Sequence, residues 1–303
     1  MKQNATIVYL VRNTKRDIDN LLSSLKMLDV NFNKIYNYPI ILFHENITSD
    51  KIEHIKSSTT SILYFEKIVF EVPQFLNKDT IPEIVYVNGF GFSMGYRHMC
   101  RFFSGIIYHH PALKSFDYYW RLDTDSFLRG KIEYDVFEFM HDNNYIYGYV
   151  DSGIDTATVD ELRTATERYI SKNKIKNTGT WDGSAYGTNF EISKIDFWNS
   201  EKCIDFFNYL DNLGGIFRYR WGDHIIHFIT VSLFCPYKQI HKFTDIAYQH
   251  QDVYYNYTLN ISGFSKNISL LKKGILQTIL KSSALLKRKS KRYRAYRSNK
   301  NGF

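Results

Sequence analysis

The first part of the chain alternates apolar segments with amphipathic ones, and this alternation restricts the fold more than any other feature. Apolar runs predict strands over 5–11, 38–45 and 67–73, whereas helical spacing predicts helices over 16–32 and 51–58. An order of strand, helix, strand, helix is typical of a parallel sheet whose strands are joined by helical crossovers. The sequence therefore predicts an α/β fold.

Two carboxylates follow the next predicted strand. A helix is predicted over 94–110 and a strand over 118–123, and the strand runs directly into Asp123 and Asp125. Aspartate is unfavourable in strands, so the two residues form either a polar turn or a cation site. Open α/β sheets bind ligands at the carboxyl ends of their strands, which favours the cation site.

Composition excludes several classes of protein. The 303 residues are 44% hydrophobic, which is enough for a substantial core, and no apolar stretch approaches the roughly 18 residues of a membrane span. Three scattered cysteines argue against a disulfide scaffold or a CxxC zinc site. Residues 1–15 reach polar positions too early for a signal peptide or anchor, so we expect a soluble or peripheral protein.

The net charge of +8 belongs to the C-terminal segment. Of the 39 basic residues, twelve lie in 266–303, which contains no acidic residue, so residues 1–265 carry 27 basic against 31 acidic side chains. A nucleic-acid-binding body would carry its own basic face, so nucleic acid is an unlikely partner. The apolar stripe and basic run of 266–303 predict either an amphipathic tail on an anionic membrane surface or a helix packed on the body.

Seven further stretches carry a family resemblance. They are YRHMCRFFSG (96–105), YYWRLDTD (118–125), DNNYIYGY (142–149), NFEISKIDFW (189–198), YLDNLGG (209–215), RWGDHIIH (220–227) and IAYQH (246–250). In this order, across roughly residues 5–255, they resemble the fungal-type α-1,2-mannosyltransferases of glycosyltransferase family fifteen.

The resemblance implies a glycosyltransferase of the A type, with a mixed, mostly parallel sheet flanked by helices. It implies that mannose passes from GDP-mannose to a mannoside acceptor of a glycan or glycoprotein, with Mn²⁺ and with retention of configuration. We expect a catalytic domain over 1–265, with a nucleotide-binding half (1–150) and an acceptor half (151–265), followed by the basic tail (266–303). The family's location is the Golgi membrane of the secretory pathway, and a cytoplasmic or peripheral location is the alternative.

The resemblance also assigns the metal ligands. Asp123 and Asp125 match the family's acidic triplet, which usually reads Glu-Pro-Asp and here reads Asp-Thr-Asp, and His250 matches the histidine that completes the site. Carboxylate oxygens together with an imidazole favour Mn²⁺ over Mg²⁺. The shorter Asp123 reaches less far than a glutamate, so its contact with the ion is expected through water.

Two acidic residues are implied to be catalytic. Glu191 matches the residue that acts as nucleophile or stabilises the cationic sugar, and its alternative is a structural salt bridge. Asp223 is expected either to hydrogen-bond sugar hydroxyls or to form an ion pair with Arg220, since an unpaired carboxylate among apolar residues is costly. His227, in the apolar run after Asp223, is interpreted as a packing residue.

The donor is expected to contact Asp123 and three further side chains. Tyr96 matches a tyrosine near the donor sugar, and Arg12 follows the first strand, where a base or phosphate is bound. Arg97 and Arg101 lie one helical turn apart, so one of them is expected to meet the diphosphate and the other to pair with an acid. We assign Arg97 to the donor.

Two departures leave alternatives open. The altered triplet and SAYG (184–187), which replaces the family's aromatic lead-in, are compatible with another sugar nucleotide or acceptor. The third possibility is a non-catalytic carbohydrate-binding relative, against which the joint presence of Asp123, Asp125, Glu191 and His250 speaks. GFGFSMG (89–95) does not match a dinucleotide fingerprint.

Overall fold

The structure is a computed structural model that describes residues 2–155, 159–176 and 181–256. The strands of these residues are β1 (Ala5–Val11), β2 (Ile40–His44), β3 (Leu63–Lys67), β4 (Ile84–Val87), β5 (Phe90–Ser93), β6 (Tyr118–Leu122), β7 (Ser126–Leu128), β8 (Tyr147–Tyr149), β9 (Ser152–Ile154), β10 (Ser184–Tyr186), β11 (Phe190–Lys194), β12 (Ile240–Lys242), β13 (Tyr248–His250) and β14 (Val253–Tyr255).

The helices surround these strands. They are α1 (Lys15–Leu28), α2 (Lys34–Tyr36), α3 (Ser49–Lys56), α4 (Met94–Ser104), α5 (Val136–Asp142), α6 (Val159–Lys172), α7 (Ile195–Trp198), α8 (Glu201–Leu213), α9 (Gly215–Tyr219) and α10 (Asp223–Phe234).

A seven-stranded sheet organises the part of the chain that the structure describes. Its strand order is β12-β8-β11-β6-β1-β2-β3. Every neighbouring pair is parallel except the two that involve β11, which runs antiparallel to both β6 and β8. The predicted mixed, mostly parallel sheet is therefore confirmed. Because β11 is reversed, its first residues lie at the edge where β1 and β6 end.

Alternation along the strands divides the interior into two layers. Trp120 and Ile192 point into the core beneath α1, and Tyr119 points into the core beneath α4. Successive strand residues face opposite sides of a sheet, so Arg121 and Glu191 lie on the same side as Tyr119. The layer beneath α4 and α10 thus contains buried charge as well as aromatic rings.

Two local predictions need correction, and one hairpin was missed. The predicted strand over 67–73 is wrong in position, because β3 pairs with β2, which ends at His44, and residues beyond Lys67 have no strand beside them. The predicted exposed helical segment over 151–180 contains α6, yet Leu162 on α6 is fully buried. The hairpin of β4 and β5 was not predicted at all.

The predictions about membrane contact concern the C-terminal tail and the helices of the described residues. The basic tail over 266–303 lies outside the described residues, and its proposed contact with a membrane stays a prediction, as does the domain boundary at 265. Within the described ranges, no helix combines the length and apolar character that crossing a bilayer requires.

Candidate active site

The predicted metal ligands meet at the carboxyl end of β6. His250 Nε2 lies 3.2 Å from Asp125 Oδ1 and 4.0 Å from Asp123 Oδ2. One ligand atom from each of the three residues lies within 4.8 Å of the others. Each side chain is partly exposed, by 20–31%. The three groups are close enough to share one ion and open enough to admit a substrate beside it.

Strand pairing brings these residues together from distant parts of the sequence. β7 follows the acidic pair and pairs antiparallel with β13, with His250 opposite Ser126. The backbone N–H of Gln251 also donates to the carbonyl of Asp125 at 3.1 Å. The position of His250 is therefore set by backbone hydrogen bonds and not only by side-chain packing.

The pKa values of the cluster reflect burial and opposite charge. Burial raises the pKa of Asp123, and the opposing charges of Arg121 and His250 do not cancel this effect. Burial also acts to raise the pKa of Asp125, but the hydrogen bond and charge of His250, together with a hydrogen bond from Gln251, lower that pKa. Burial acts to lower the pKa of His250, but its hydrogen bond with Asp125 and the charges of Asp123 and Asp125 together raise it above the usual value.

Arg121 connects this cluster to the predicted catalytic Asp223. Its Nη1 donates to Asp223 Oδ2 at 2.6 Å, and its Nε donates to Asp123 Oδ1 at 3.2 Å. The guanidinium lies 3.5 Å from the ring centroid of Phe103, and Thr188 donates a second hydrogen bond to Asp223 Oδ2 at 2.8 Å. Burial acts to raise the pKa of Asp223, but the charge and hydrogen bond of Arg121, together with the charges of His224 and His227, hold this pKa well below its usual value.

The partner of Asp223 corrects a prediction. Of the two alternatives for Asp223, the ion pair with Arg220 is wrong, because Arg220 instead donates to Asp155 at 2.6 Å. His224 also lies 3.0 Å from Asp155. Arg121 was not singled out from the sequence. An arginine inside the apolar strand YYWRL is a usable signal, since a buried cation needs an acidic partner.

Glu191 lies in the fully buried layer beneath α4. Tyr119 donates to its Oε1, Tyr147 donates to Oε2 at 2.7 Å, and His227 Nδ1 lies 2.6 Å from Oε2. Neither Glu191 nor His227 has exposed side-chain surface. Burial acts to raise the pKa of Glu191, but the charge and hydrogen bond of His227 outweigh it and lower this pKa.

His227 therefore does more than pack. The other ring nitrogen, Nε2, lies 2.9 Å from the backbone carbonyl oxygen of Phe103 on α4. The histidine joins α10, α4 and β11 through hydrogen bonds, while Trp198 packs 4.4 Å from its ring centroid. Its neighbours in the sequence are apolar, so the sequence alone gave no sign of the acidic partner.

Tyr96 and Arg12 lie at the edges of the site. The Arg220 guanidinium approaches the Tyr96 hydroxyl at 3.4 Å, and burial raises the pKa of Tyr96, with a smaller contribution from Asp223. Arg12 binds Asp17 through Nη2 at 2.7 Å, and its side chain is 76% exposed. The hydrogen bond to Asp17 raises the pKa of Arg12, and the charges of Asp125 and Asp123 add to this effect.

Arg97 has a different environment from the one predicted. It is fully buried, and its guanidinium donates to the backbone carbonyls of Ser93, Phe217, Pro82 and Glu83. These bonds use four of the five N–H groups of the side chain and tie α4 to α9 and to the residues before β4. The structure thus argues against a contact between Arg97 and a diphosphate. The other arginine of the pair, Arg101, binds Asp211 at 2.8 Å, and this pairing with an acid was predicted.

An open cavity of about 340 Å³ lies beside the site. Its lining comes from the β4–β5 turn, from β9 and β10, and from α10, and comprises Asn88, Asp151, Gly153, Ile154, Asp155, Ala185, Tyr186, Gly187 and His224. A larger cavity of about 690 Å³ lies between residues 67–74 and α4, and none of the predicted site residues lines it.

The chain resembles known proteins over most of its length. The sequence profile of the glycolipid 2-alpha-mannosyltransferase family matches residues 1–260. The probable mannosyltransferase KTR3 of Saccharomyces cerevisiae is 34% identical over 274 residues, which cover 83% of this chain and 67% of the yeast protein. The alpha-1,2 mannosyltransferase KTR1 of the same yeast is 33% identical over 272 residues, which cover 82% and 69% of the two chains.

Two solved structures share the fold. Core-mannan synthase A of Aspergillus fumigatus, in its Mn/GDP form, superposes with a TM-score of 0.77 at 29% identity, covering 84% of this chain and 76% of the other. Mannosyltransferase Ktr4p of Saccharomyces cerevisiae in complex with GDP has a TM-score of 0.77 at 29% identity and covers 88% and 76%. The predicted glycosyltransferase A-type fold is confirmed.

Proposed function

The chain belongs to the glycolipid 2-alpha-mannosyltransferase family, and we propose that it transfers mannose from GDP-mannose to a 2-hydroxyl group of a mannoside in a glycan or glycoprotein. The observation that carries this proposal is the meeting of Asp123, Asp125 and His250 at the carboxyl edge of the sheet. GDP-mannose is an α-glycoside, so an α-linked product means that the configuration is retained.

The ligand set fits a divalent cation. Two carboxylates and one imidazole, with ligand atoms within 4.8 Å of one another, suit Mn²⁺ better than Mg²⁺. We assign Asp125 and His250 as direct ligands and Asp123 as a ligand through water or at longer range. Bound there, the cation neutralises the charge of the departing diphosphate.

Arg121 and Arg12 organise the donor side in this proposal. Arg121 holds both Asp123 and Asp223 through its guanidinium, so the two carboxylates keep fixed positions before substrate arrives. Arg12 is largely exposed beside the acidic pair and supplies a cation for the phosphates or the base. Tyr96, between Arg220 and the region of Asp223, contributes a wall next to the donor sugar.

Asp223 and Glu191 act on the sugar in different ways. Asp223 has 3% of its surface exposed, and its Oδ2 accepts two hydrogen bonds, so we assign it to hold a sugar hydroxyl through Oδ1. Glu191 has no exposed surface, and three side chains occupy its carboxylate. This environment favours electrostatic stabilisation of the cationic transition state over direct attack on the anomeric carbon.

A donor panel tests the proposal. Purified protein with Mn²⁺ is given GDP-mannose and other sugar nucleotides, and release of the nucleoside diphosphate is measured with and without methyl α-mannoside. Transfer from GDP-mannose, with an α-1,2 linkage assigned by NMR, is the expected result. The absence of turnover with every donor would favour a non-catalytic relative.

The same panel tests a second candidate, a transferase of another sugar. Asp123 replaces the family's usual glutamate in the acidic triplet, and Tyr186 and Gly187 of the altered SAYG segment line the cavity beside the site. Faster turnover of a different sugar nucleotide would establish this alternative while leaving the metal site and fold assignments unchanged.

A further inference from the structure

The β4–β5 hairpin exposes large aromatic side chains beside the site. Its two strands are joined by Asn88 and Gly89, both with positive φ, as a two-residue hairpin turn requires. Tyr86 and Phe90 are 71% and 69% exposed. Exposed aromatic residues next to a cavity are a common feature of ligand-binding surfaces.

The two exposed rings lie on opposite faces of the hairpin. Alternate residues of a strand share a face, so Phe90 lies on the same face as Phe92. Tyr86 pairs with Gly91, the residue between them, and therefore lies on the other face. Phe92 is turned toward the body of the protein, since its ring centroid is 4.9 Å from that of Tyr96 and 4.3 Å from the Arg220 guanidinium. A side chain at Gly91 would meet Tyr86 at 3.2 Å, which places the tyrosine ring over Gly91 on the outer face.

Phe90 therefore extends the inner face toward the hairpin tip. Asn88, in the turn that precedes Phe90, lines the 340 Å³ cavity. The lining of that cavity also includes Asp155, Tyr186 and Gly187. A volume in this range is typical of small-ligand sites, which run from roughly 300 to 1,000 Å³.

One short segment connects the cavity to the catalytic groups. Gly187 lines the cavity, Thr188 donates to Asp223, and the carbonyl of Asn189 accepts from the backbone N–H of Asp123. An extended chain advances about 3.3 Å per residue, so Gly187 lies within roughly 7 Å of Asn189 along the chain. The cavity thus begins about one sugar ring away from the groups that hold the donor.

We propose that this cavity is the acceptor site and that Phe90 stacks on the sugar ring next to the one that receives mannose. The inference rests on the proposed mannosyl transfer for its choice of sugar. The apolar C–H face of a pyranose matches an exposed phenyl ring, and the polar groups of the cavity lining match its hydroxyls. Phe90 is then a specificity residue for acceptors longer than one sugar.

Binding of α-1,2-linked mannobiose tests this inference without requiring turnover. The full chain is titrated with mannobiose in the presence of GDP and Mn²⁺, and binding is followed by ligand-observed NMR. Phe90→Ala should weaken binding about fivefold, while Phe90→Tyr should retain it. Tyr86→Ala is the matched control, because it removes an equally exposed ring from the other face, and it should bind as the wild type does.

The outcomes separate this inference from the proposed function. Unchanged binding by Phe90→Ala, equal losses in both alanine variants, or no binding of mannobiose to the wild type would each overturn the Phe90 assignment. Donor hydrolysis without acceptor is measured in parallel and should be the same in Tyr86→Ala as in the wild type. The absence of donor hydrolysis by the wild type would instead contradict the transferase function, whatever the result with mannobiose.

Discussion

Two carboxylate–histidine pairs lie near the same end of the sheet, and they differ in their access to solvent. Asp125 and His250 are 3.2 Å apart and about one fifth exposed, whereas Glu191 and His227 are 2.6 Å apart with no exposure. The first pair is therefore accessible to water and to a cation. The second is not, because two tyrosines and the helix α4 enclose it. Similar side chains are thus open to solvent in one place and enclosed in the other.

The largest expected effect concerns the accessible pair. Asp125→Ala removes a proposed direct metal ligand and should lower donor turnover about 10³-fold, equivalent to about 4 kcal/mol of barrier. The free energy of unfolding should change by less than about 1 kcal/mol, since the residue is partly exposed. GDP release and urea denaturation measure the two quantities. A large loss of stability with normal turnover would reverse the contrast between the pairs.

The buried pair should respond mainly in stability. Glu191→Ala leaves His227 without its acidic partner and should lower the free energy of unfolding by about 3 kcal/mol or more, and turnover should fall as well. Glu191→Gln keeps the volume and one acceptor oxygen, so it should lose less stability and a similar share of activity. Wild-type turnover in Glu191→Gln would remove the carboxylate charge from the mechanism.

The two histidines separate metal binding from structure. His250→Ala should raise the Mn²⁺ concentration needed for half-maximal turnover by roughly 30-fold, which corresponds to about 2 kcal/mol. His227→Ala should leave this concentration unchanged while reducing stability. Metal titrations of GDP release, followed by chelation with EDTA, make the comparison. An equal shift in both variants would mean that the pairs act as one unit.

His98 shows how burial near two arginines affects the pKa of a histidine. Burial lowers its pKa from 6.5 to about 4, and the charges of Arg101 and Arg97 add to this effect. The unfolded chain therefore binds a proton that the folded chain excludes, and stability is lost as the pH falls from 6.5 toward 4. We expect the titration of His98 to lower the free energy of unfolding by about 1 kcal/mol between pH 7 and pH 5.5.

A phenylalanine provides the control for this pH effect. The His98 ring stacks on Phe70 with centroids 5.4 Å apart, so His98→Phe preserves the packing and removes the titration. Urea denaturation at the two pH values should show a smaller decrease in the variant than in the wild type. Equal decreases would assign the pH dependence to other groups.

The sequence predicted the parts of this site that depend on local pattern. Asp123 and Asp125 follow an apolar strand, and their position at the sheet edge follows from the order of strands and helices. His250 came only from the family resemblance, because its proximity depends on the pairing of β7 with β13, in which it lies opposite Ser126, 124 residues earlier in the sequence. Local periodicity contains no information about such a pairing.

The β4–β5 hairpin could have been predicted from the sequence, whereas the different roles of the two arginines on α4 could not. The Asn88–Gly89 pair between apolar runs is a strong hairpin signal, and it would have located β4 and β5. Arg97 and Arg101 have the same spacing on one helix and looked interchangeable, yet one is buried among carbonyl groups and the other binds Asp211. Which of them is available to a ligand depends on the neighbours of α4, and these lie far away in the sequence.

The alternation of side chains along β11 makes the active site sensitive to the length of a single strand. Adding or deleting one residue within Phe190–Lys194 would shift the side-chain phase, turning Glu191 toward α1 and an apolar neighbour toward Arg121. Loops around the site can change length without this consequence. Diversification of such an enzyme is therefore expected through its loops, while the length of this strand stays constant.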